Sequence, residues 1–514
     1  MSAVRVTQPG ELTPQAPGGA WRPCRRAWAR GYDLACRHRI FALALVVAAA
    51  LRVLAVLGFQ PALLVRLDSY DYLRGAVHLS PNVVNTSGYS VFLWLLRPFG
   101  SLALVSVVQH LLGLGIAVMV YAVLRRYRLP GWGATLAAAP VLFDPAQLVV
   151  EQYILPDMLT AFLAVAALTV LLLETTPAWW RPLAAGLLAG ASAITRPTSL
   201  PLILLIPAYL LARRAGWRRA GAALLAGLLP VAGYMGWFLA VQGSFGLSNS
   251  AGLFLWSRTM SFANCSVIRP PADLRSLCPG AQPGVPAPST ALAQGARSQR
   301  LSPMNALWDR RDWQWHQPQP PSVSETAPDT ETAPDTSAFN PATNAKALRF
   351  GLWAIEAQPL AYALLVARQA LQPFSLTRPP LRFPVFQPSS ATLTTAGLGY
   401  AAGAVRAYTG NGQHVTADLG YSVGTRVDQP YASIIRLYQK AVSLPGPVLG
   451  LVVLTGLAGI VLPRRRSAAA ALAWLSGMTV LILPIATHSY AYRFVIPALP
   501  LLCIAAAFTL RDQG

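Results

Sequence analysis

The 514-residue chain is 54% hydrophobic and only 12% charged, with a mean hydropathy of +0.44, a balance that excludes an ordinary soluble domain and reads as a membrane protein. Its formal charge of +22 would suit a nucleic acid if the basic residues shared one polar surface, but here they punctuate apolar runs and report topology, so no nucleic-acid partner is implied. Nearly all of them are Arg, with Lys only at Lys346 and Lys440.

A helix needs about 20 predominantly apolar residues to cross a hydrocarbon core of roughly 30 Å, and the chain offers about ten such runs. The first, 40–59, lacks the small-residue cleavage site of a removable signal peptide and is expected to stay as an anchor. The others fall at 101–123, 133–149, 157–173, 182–195, 198–212, 220–241, 446–463, 468–486 and 494–510, several of them short or broken by Pro and Gly. The fold class is therefore all-α and polytopic, with a domain of unassigned class at 242–443 inserted before the last three spans.

Arg-rich short loops stay on the cytoplasmic side. Arg22, Arg25, Arg26, Arg30, Arg37 and Arg39 precede the first span, and RRYR at 125–128, Arg213 with Arg214, Arg218 with Arg219, and RRR at 464–466 mark alternate loops. Both termini are expected in the cytoplasm, residues 1–39 as an Arg-rich tail. The loops 61–100 and 150–156, the TRP turn at 195–197, the segment 242–443 and the HSYAYR turn at 488–493 then share the extracytoplasmic face.

The outer segment is not uniform. ETAPDTETAPDTS at 325–337 has nothing apolar to bury, so 317–340 reads as a disordered loop. Residues 344–372 have helical spacing with Lys346, Arg349, Glu356, Pro359 and Arg368 along them and read as one amphipathic helix at the membrane interface. Of the five cysteines, Cys24 and Cys36 lie in the tail and Cys503 in the last span, whereas Cys265 and Cys278 share an oxidising compartment and are predicted to form a disulfide. No CxxC pair or His cluster marks a zinc site.

Polar residues collect at the outer ends of the predicted helices: Asp68, Asp71, Arg74, His78, Glu151, Asp157, Arg196, Arg258, His488 and Arg493. In LDSYDYLRGA at 67–76, a helix would put Asp68, Asp71 and Tyr72 on one face. A carboxylate there can take a proton from a hydroxyl within hydrogen-bond reach. Each residue also has a plainer role: Asp68, Asp71 and above all Asp157 as helix caps, Arg196 and Arg493 as snorkelling cations, and the aromatic residues as an interfacial belt.

In chain order these segments resemble the membrane-embedded GT-C glycosyltransferases that use polyprenyl-phosphate sugars, a superfamily including protein mannosyltransferase-like enzymes and the aminoarabinose lipid A transferases. The blocks are DSYDYLRGA, GYSVFLWLL at 88–96, VVQHLLGLGIAVMVYAVLRR at 107–126, EQYILPDMLTAFL at 151–163, AITRPTSLPL at 193–202, SAGLFLWSRTMSFANC at 250–265 and YRFVIPALPLL at 492–502. The resemblance is best over 40–260 and implies that residues 40–241 form the transmembrane module. Asp68 matches the family's first catalytic aspartate. Asp157 stands where a glutamate is common, which puts its distance from substrate in doubt.

The resemblance implies an inverting transfer of sugar from a polyprenyl-phosphate donor to a hydroxyl of a glycan, lipid or protein acceptor, at the outer face of the cytoplasmic membrane. Asp68 would be the general base, with Asp71, Asp157 and Glu151 as further catalytic or acceptor-orienting candidates. Arg196, Arg258 and Arg493 are the candidate phosphate ligands, and Tyr72, Tyr89 and Tyr492 the candidate pocket. The acids are compatible with a divalent cation, though no spacing identifies one, and no other cofactor is implied. The chief rival is a transporter or flippase of lipid-linked precursors, which would place its ionisable residues within the spans. An O-antigen-ligase-like enzyme and a noncatalytic scaffold are the others.

Overall fold

Each apolar run of the sequence becomes a helix, since a chain so short of polar side chains must satisfy its backbone within its own segments. The computed structural model describes residues 38–174, 178–278, 339–376, 381, 383, 425–462 and 467–511. The Arg-rich tail with Cys24 and Cys36, the acidic repeat at 325–337 and RRR at 464–466 lie outside the described residues.

Among the described residues, five helices are long and apolar enough to cross a membrane: α1 (Arg39–Gly58), α4 (Leu102–Arg126), α10 (Trp217–Gln242), α16 (Ala468–Thr487) and the segment Tyr492–Leu510, which contains α17 (Val495–Leu510). Counting each bent pair as one span gives up to eight. The run at 133–149 is one such pair, α5 (Gly131–Phe143) and α6 (Pro145–Gln152), which meet at 49°. Asp144 makes the bend: its side chain accepts from the Ala146 N–H and caps α6, while Pro145 opens that helix with no N–H to offer. The helices α7 (Asp157–Leu172), α8 (Trp180–Thr195) and α9 (Leu202–Ala212) are shorter, so about ten apolar segments yield fewer spans of full length.

In α1 a seam of Phe41, Ala48, Arg52, Ala55 and Gly58 faces inward, while Leu43 and Val46 are each 66% exposed; a helix that turns its large aliphatics outward suits lipid rather than water. α17 is buried along its whole length from Val495 to Thr509 and packs against α4, α5, α7, α15 (Gly446–Val461) and α16, as an all-apolar helix at the centre of a bundle should. α8 and α10 touch through small residues, so that a Cβ on Gly186 would lie 2.1 Å from the Ala223 carbonyl oxygen.

A second core forms a cap at one end of the bundle. It gathers Val84, Leu253, Trp256, Ile268, Leu277, Phe339 and Phe350, and against it pack Cys265 and Cys278, joined in a disulfide with Cα atoms 6.0 Å apart. The single helix expected over 344–372 is two: α12 (Pro341–Ala357) and α13 (Pro359–Leu371), bent by 99°. Pro359 supplies no N–H and holds Gln358 at φ −133°, ψ 56°, outside the helical region. α12 buries Ala347, Phe350, Gly351 and Ala354 in the cap, so an interfacial role does not extend to it. Of the loop expected at 317–340 only Phe339, which is buried, and Asn340, which caps α12, lie within the described residues, and both are ordered parts of the cap.

Gly186→Ala is expected to destabilise the protein by roughly 1–3 kcal/mol through overpacking, whereas Gly233→Ala, where an added Cβ meets nothing within 4 Å, should be neutral or better. Thermal unfolding of the two variants in the same detergent checks the difference.

Candidate active site

The loops at the cap end hold one another in place before any catalytic residue is considered. β1 (Phe59–Gln60) pairs antiparallel with β2 (Arg426–Val427), which precedes α14 (Tyr431–Ala441), and Leu63 bridges Tyr153 through Leu63 N–H to the Gln152 carbonyl and Ile154 N–H to the Leu63 carbonyl, both 2.9 Å. This holds the strand of chain that leads into α2 (Arg66–His78) against the one that leads into α7. Ser69, not Asp68, serves the first turn of α2: its hydroxyl accepts from the Val65 N–H at 2.8 Å and donates to the Ile154 carbonyl at 2.8 Å.

Asp68 makes no capping bond. Instead Arg493, in the single 3-10 turn Tyr492–Phe494, donates from Nη2 to its Oδ2 at 2.7 Å, and 24% of the Asp68 side chain remains exposed. Burial pushes the Asp68 pKa up, but Arg493, then Arg196 and His488, outweigh it and hold the carboxyl below its usual range. Asp157 makes no capping bond either, contrary to its plainer reading. It is fully buried and ion-paired through Oδ1 with Arg196 of the TRP turn, while its Oδ2 has no partner among the described residues.

Both guanidiniums lie over the Phe494 ring, Arg196 at 4.8 Å and Arg493 at 5.7 Å from its centroid, so one aromatic face sits beside two ion pairs. Tyr72 is buried and meets Tyr89 edge to face at 5.1 Å. Burial and then the charge on Asp68 lift the Tyr72 hydroxyl above its ordinary range, with Arg196, Arg493 and Asp157 also within its field. The GYS turn at 88–90 opens α3 (Gly88–Leu96) against the end of α8, where a Cβ on Gly88 would lie 2.6 Å from the Ile194 carbonyl oxygen.

Asp71, one turn after Asp68, is in a different state. It is buried, and its Oδ2 accepts from Asn85 Nδ2 at 3.3 Å. Burial, with the neighbouring Asp68 charge, pushes its pKa up to about 7 against the opposing pull of Asn82, Asn85 and Arg74.

Arg258, on α11 (Ala251–Thr259), is 2% exposed; Nη1 donates to Gln369 Oε1 at 2.8 Å, and its Nε and Nη2 have no partner among the described residues. It is near enough to His488 to act with burial, Arg493 and Arg196 in depressing that imidazole to about 4, leaving it neutral at pH 7. Three guanidiniums thus act on one imidazole, His488, and two of them, Arg196 and Arg493, are each paired with a carboxylate.

Two predicted residues point elsewhere. Tyr492 donates toward Asp144 Oδ2 at 3.5 Å and lines a separate cavity of about 270 Å³ with Gln439 and Lys440. Glu151 does not face the acidic helix at all. It is buried in α6 with Arg52 Nη2 at 2.8 Å on Oε1, Gln147 Nε2 at 2.9 Å on the same oxygen and His110 Nδ1 at 2.6 Å from Oε2. Arg52 and His110 are the residues the sequence reading passed over; the available signal was a lone ionisable residue in each of two apolar spans. Among the described residues no group of three His, Cys, Asp or Glu side chains is placed to hold a metal ion.

Comparison of the chain with protein-family models, with curated proteins and with solved structures finds no match in any of the three.

Because Asp71 is raised from the ordinary 3.8 to about 7, the stability its protonated form contributes is complete below the lower value and lost as pH rises through the upper one. Asp71→Asn, which stays neutral, is expected to unfold at a higher temperature than the wild type at pH 8 and at the same temperature at pH 4. An unchanged difference across that range would place the titration elsewhere.

Proposed function

We propose that the protein is an inverting glycosyltransferase of GT-C type, moving a sugar from a polyprenyl-phosphate donor to an acceptor hydroxyl on the extracytoplasmic face of the cytoplasmic membrane. The observation that carries this reading is the pairing of a partly exposed Asp68 with Arg493, together with a buried Arg258 whose Nε and Nη2 are unmatched among the described residues and which acts on the same His488. A carboxylate for the proton and surplus guanidinium for a phosphate are the two charges such a transfer needs.

In the reaction, Asp68 accepts the acceptor's O–H proton as that oxygen attacks the anomeric carbon. The bond from that carbon to the phosphate oxygen breaks, and polyprenyl phosphate leaves with the electron pair, with inversion and oxocarbenium character at the carbon. While Arg493 is paired to it, Asp68 is a weak base. A donor phosphate that drew Arg493 and Arg258 onto itself would return basicity to Asp68 at the moment the acceptor needs it. Arg196, already held by Asp157, adds to the positive field rather than offering a free fork. The buried phenol of Tyr72, kept protonated, is a donor beside the carboxylate.

A transporter reading has one observation on its side, the Arg52–Glu151–His110 cluster between helices. Both oxygens of Glu151 are occupied, and a Cβ on Gly113 would fall 1.9 Å from Oε1, so the cluster leaves no room for a passing ligand. It reads as a closed structural joint.

Incubating the purified protein with a panel of radiolabelled polyprenyl-phosphate sugars should release polyprenyl phosphate from one donor. With that donor, Asp68→Asn is expected to lower turnover about 100- to 10,000-fold, the usual contribution of a general base, while Asp71→Asn has a smaller effect. If Asp71→Asn alone abolished turnover, the base would move to Asp71; full activity of both variants would make the loop structural.

A further inference from the structure

The helix α13 buries none of its residues. Leu360 is 70%, Leu364 61% and Leu371 66% exposed, and their spacing puts all three on one face. On its inner side the helix is tied down by a few specific contacts. Tyr362 donates to the Ala486 carbonyl at the end of α16 at 3.1 Å, and the ring of Phe374, just past the helix, stands 3.7 Å from where a Cβ on Gly450 of α15 would be. The third contact is Gln369, whose Oε1 accepts from Arg258 Nη1 at 2.8 Å and from the Tyr490 N–H at 3.0 Å.

Both partners of that oxygen are obligate donors, which fixes the amide orientation. One neutral side chain therefore joins Arg258 to the stretch that runs from His488 to Arg493. The neutrality matters. A carboxylate at this position would pair with Arg258 and cancel its charge, whereas an amide oxygen aims the guanidinium and leaves its charge, with Nε and Nη2, available.

The helices that α13 and Phe374 rest on belong to candidate membrane spans, α16 and the bent pair that contains α15, and these also turn leucines outward, Leu451 and Leu454 at 64% and Leu475 at 41% exposed, so the leucine face adjoins elements of the same apolar kind. Arg368 is exposed beside the stripe, as a snorkelling cation at a bilayer surface would be. The occupant that this adjacency selects is the acyl region of the outer leaflet.

We propose that α13 is a lipid-seated arm and that Gln369 is a positioning residue which sets Arg258 for the phosphate of a membrane-anchored substrate. The proposal rests on Arg258 being the phosphate anchor of the transferase reading. It links two things that a lipid-borne donor needs together: contact with the leaflet that holds the tail, and a guanidinium pre-aimed at the headgroup.

The test measures affinity for farnesyl phosphate, with farnesol as the phosphate-free control, using the full chain in lipid nanodiscs. Gln369→Leu, Gln369→Glu and the triple variant Leu360→Ser, Leu364→Ser, Leu371→Ser are each expected to weaken farnesyl phosphate binding by about tenfold or more, on the scale of a hydrogen bond to a charged group. Farnesol binding should not change, and a merely structural role would lower both. Gln369→Glu keeps the shape of the side chain, so a folding defect in Gln369→Leu does not decide the matter. If Arg258→Gln loses the probe while the Gln369 and leucine variants keep it, the arm is wrong and the anchor stands. If Arg258→Gln binds as the wild type does, the anchor is wrong and the arm falls with it. Displacement of the probe by inorganic phosphate at equal concentration would show a free-anion site and overturn the link to lipid.

Discussion

The buried carboxylate of Glu151 is the constraint on which the rest of the arrangement depends. A charge removed from water persists only when matched by cations and hydrogen bonds, and here α1 supplies Arg52, α4 supplies His110 and α6 itself supplies Gln147. Arg52 also donates to the carbonyls of Val141 and Leu142 at 3.0 Å, next to the bend at Asp144. Both ring nitrogens of His110 face acceptors, Glu151 and Gln152, so the joint ties together α1, α4, α5 and α6 and the break between the last two. Its specificity is directional: apolar packing would let α1 and α4 slide, and a matched charge cluster does not.

From that joint the order spreads to the candidate site through backbone contacts. Gln109 donates to the carbonyls of Glu151 and Tyr153 at 3.0 and 2.8 Å and accepts from the Tyr89 hydroxyl at 2.8 Å; Gln152 donates to the Phe59 carbonyl at 2.6 Å. Residues 59–65 and 150–154 are thereby held together, and α2 grows from the first of them. Ser69 serving the first turn of α2 leaves Asp68 uncommitted to the helix, and the ion pair with Arg493 draws the start of α17 to the same place. Two aspartates three residues apart consequently differ in kind: one is kept ionised by cations, the other is driven toward its neutral form by burial and by the first.

Much of this was legible in the sequence because it is written in local pattern. The apolar runs gave the helices, and Asp68, Tyr72, Tyr89, Asp157, Arg196 and Arg493, noted as separate polar interruptions, do come together. What was not legible depends on three-dimensional pairing. Glu151 sits seven residues after the bend at Asp144, and nothing in EQYILPD says that the chain has turned its carboxylate into the bundle. Asp157 after Pro156 looks like a cap by every local rule, yet its partner is Arg196, 39 residues away. The break at Gln358–Pro359 was written in the sequence, and the apolar spacing on either side of it concealed a near-right-angle turn whose two arms have opposite burial.

Those two arms explain why the cap and the bundle behave as one unit around the cations. α12 gives its apolar face to the cap core with Trp256 and Phe350, and α11, running beside it, carries Arg258. α13 leaves Leu360, Leu364 and Leu371 exposed and reaches across to α16, with Phe374 just past it against α15. Arg258 is placed where these meet, with the desolvation of the cap above it and an amide from the second arm beside it. A buried guanidinium with unmatched nitrogens is unfavourable in isolation. Its position is sustained because the elements around it are fixed by larger interactions: the disulfide-closed core on one side, and on the other the helix bundle pinned by Glu151. The local electrostatic deficit at Arg258 is thus a consequence of strongly determined surroundings, and it is the kind of deficit that an incoming anion removes.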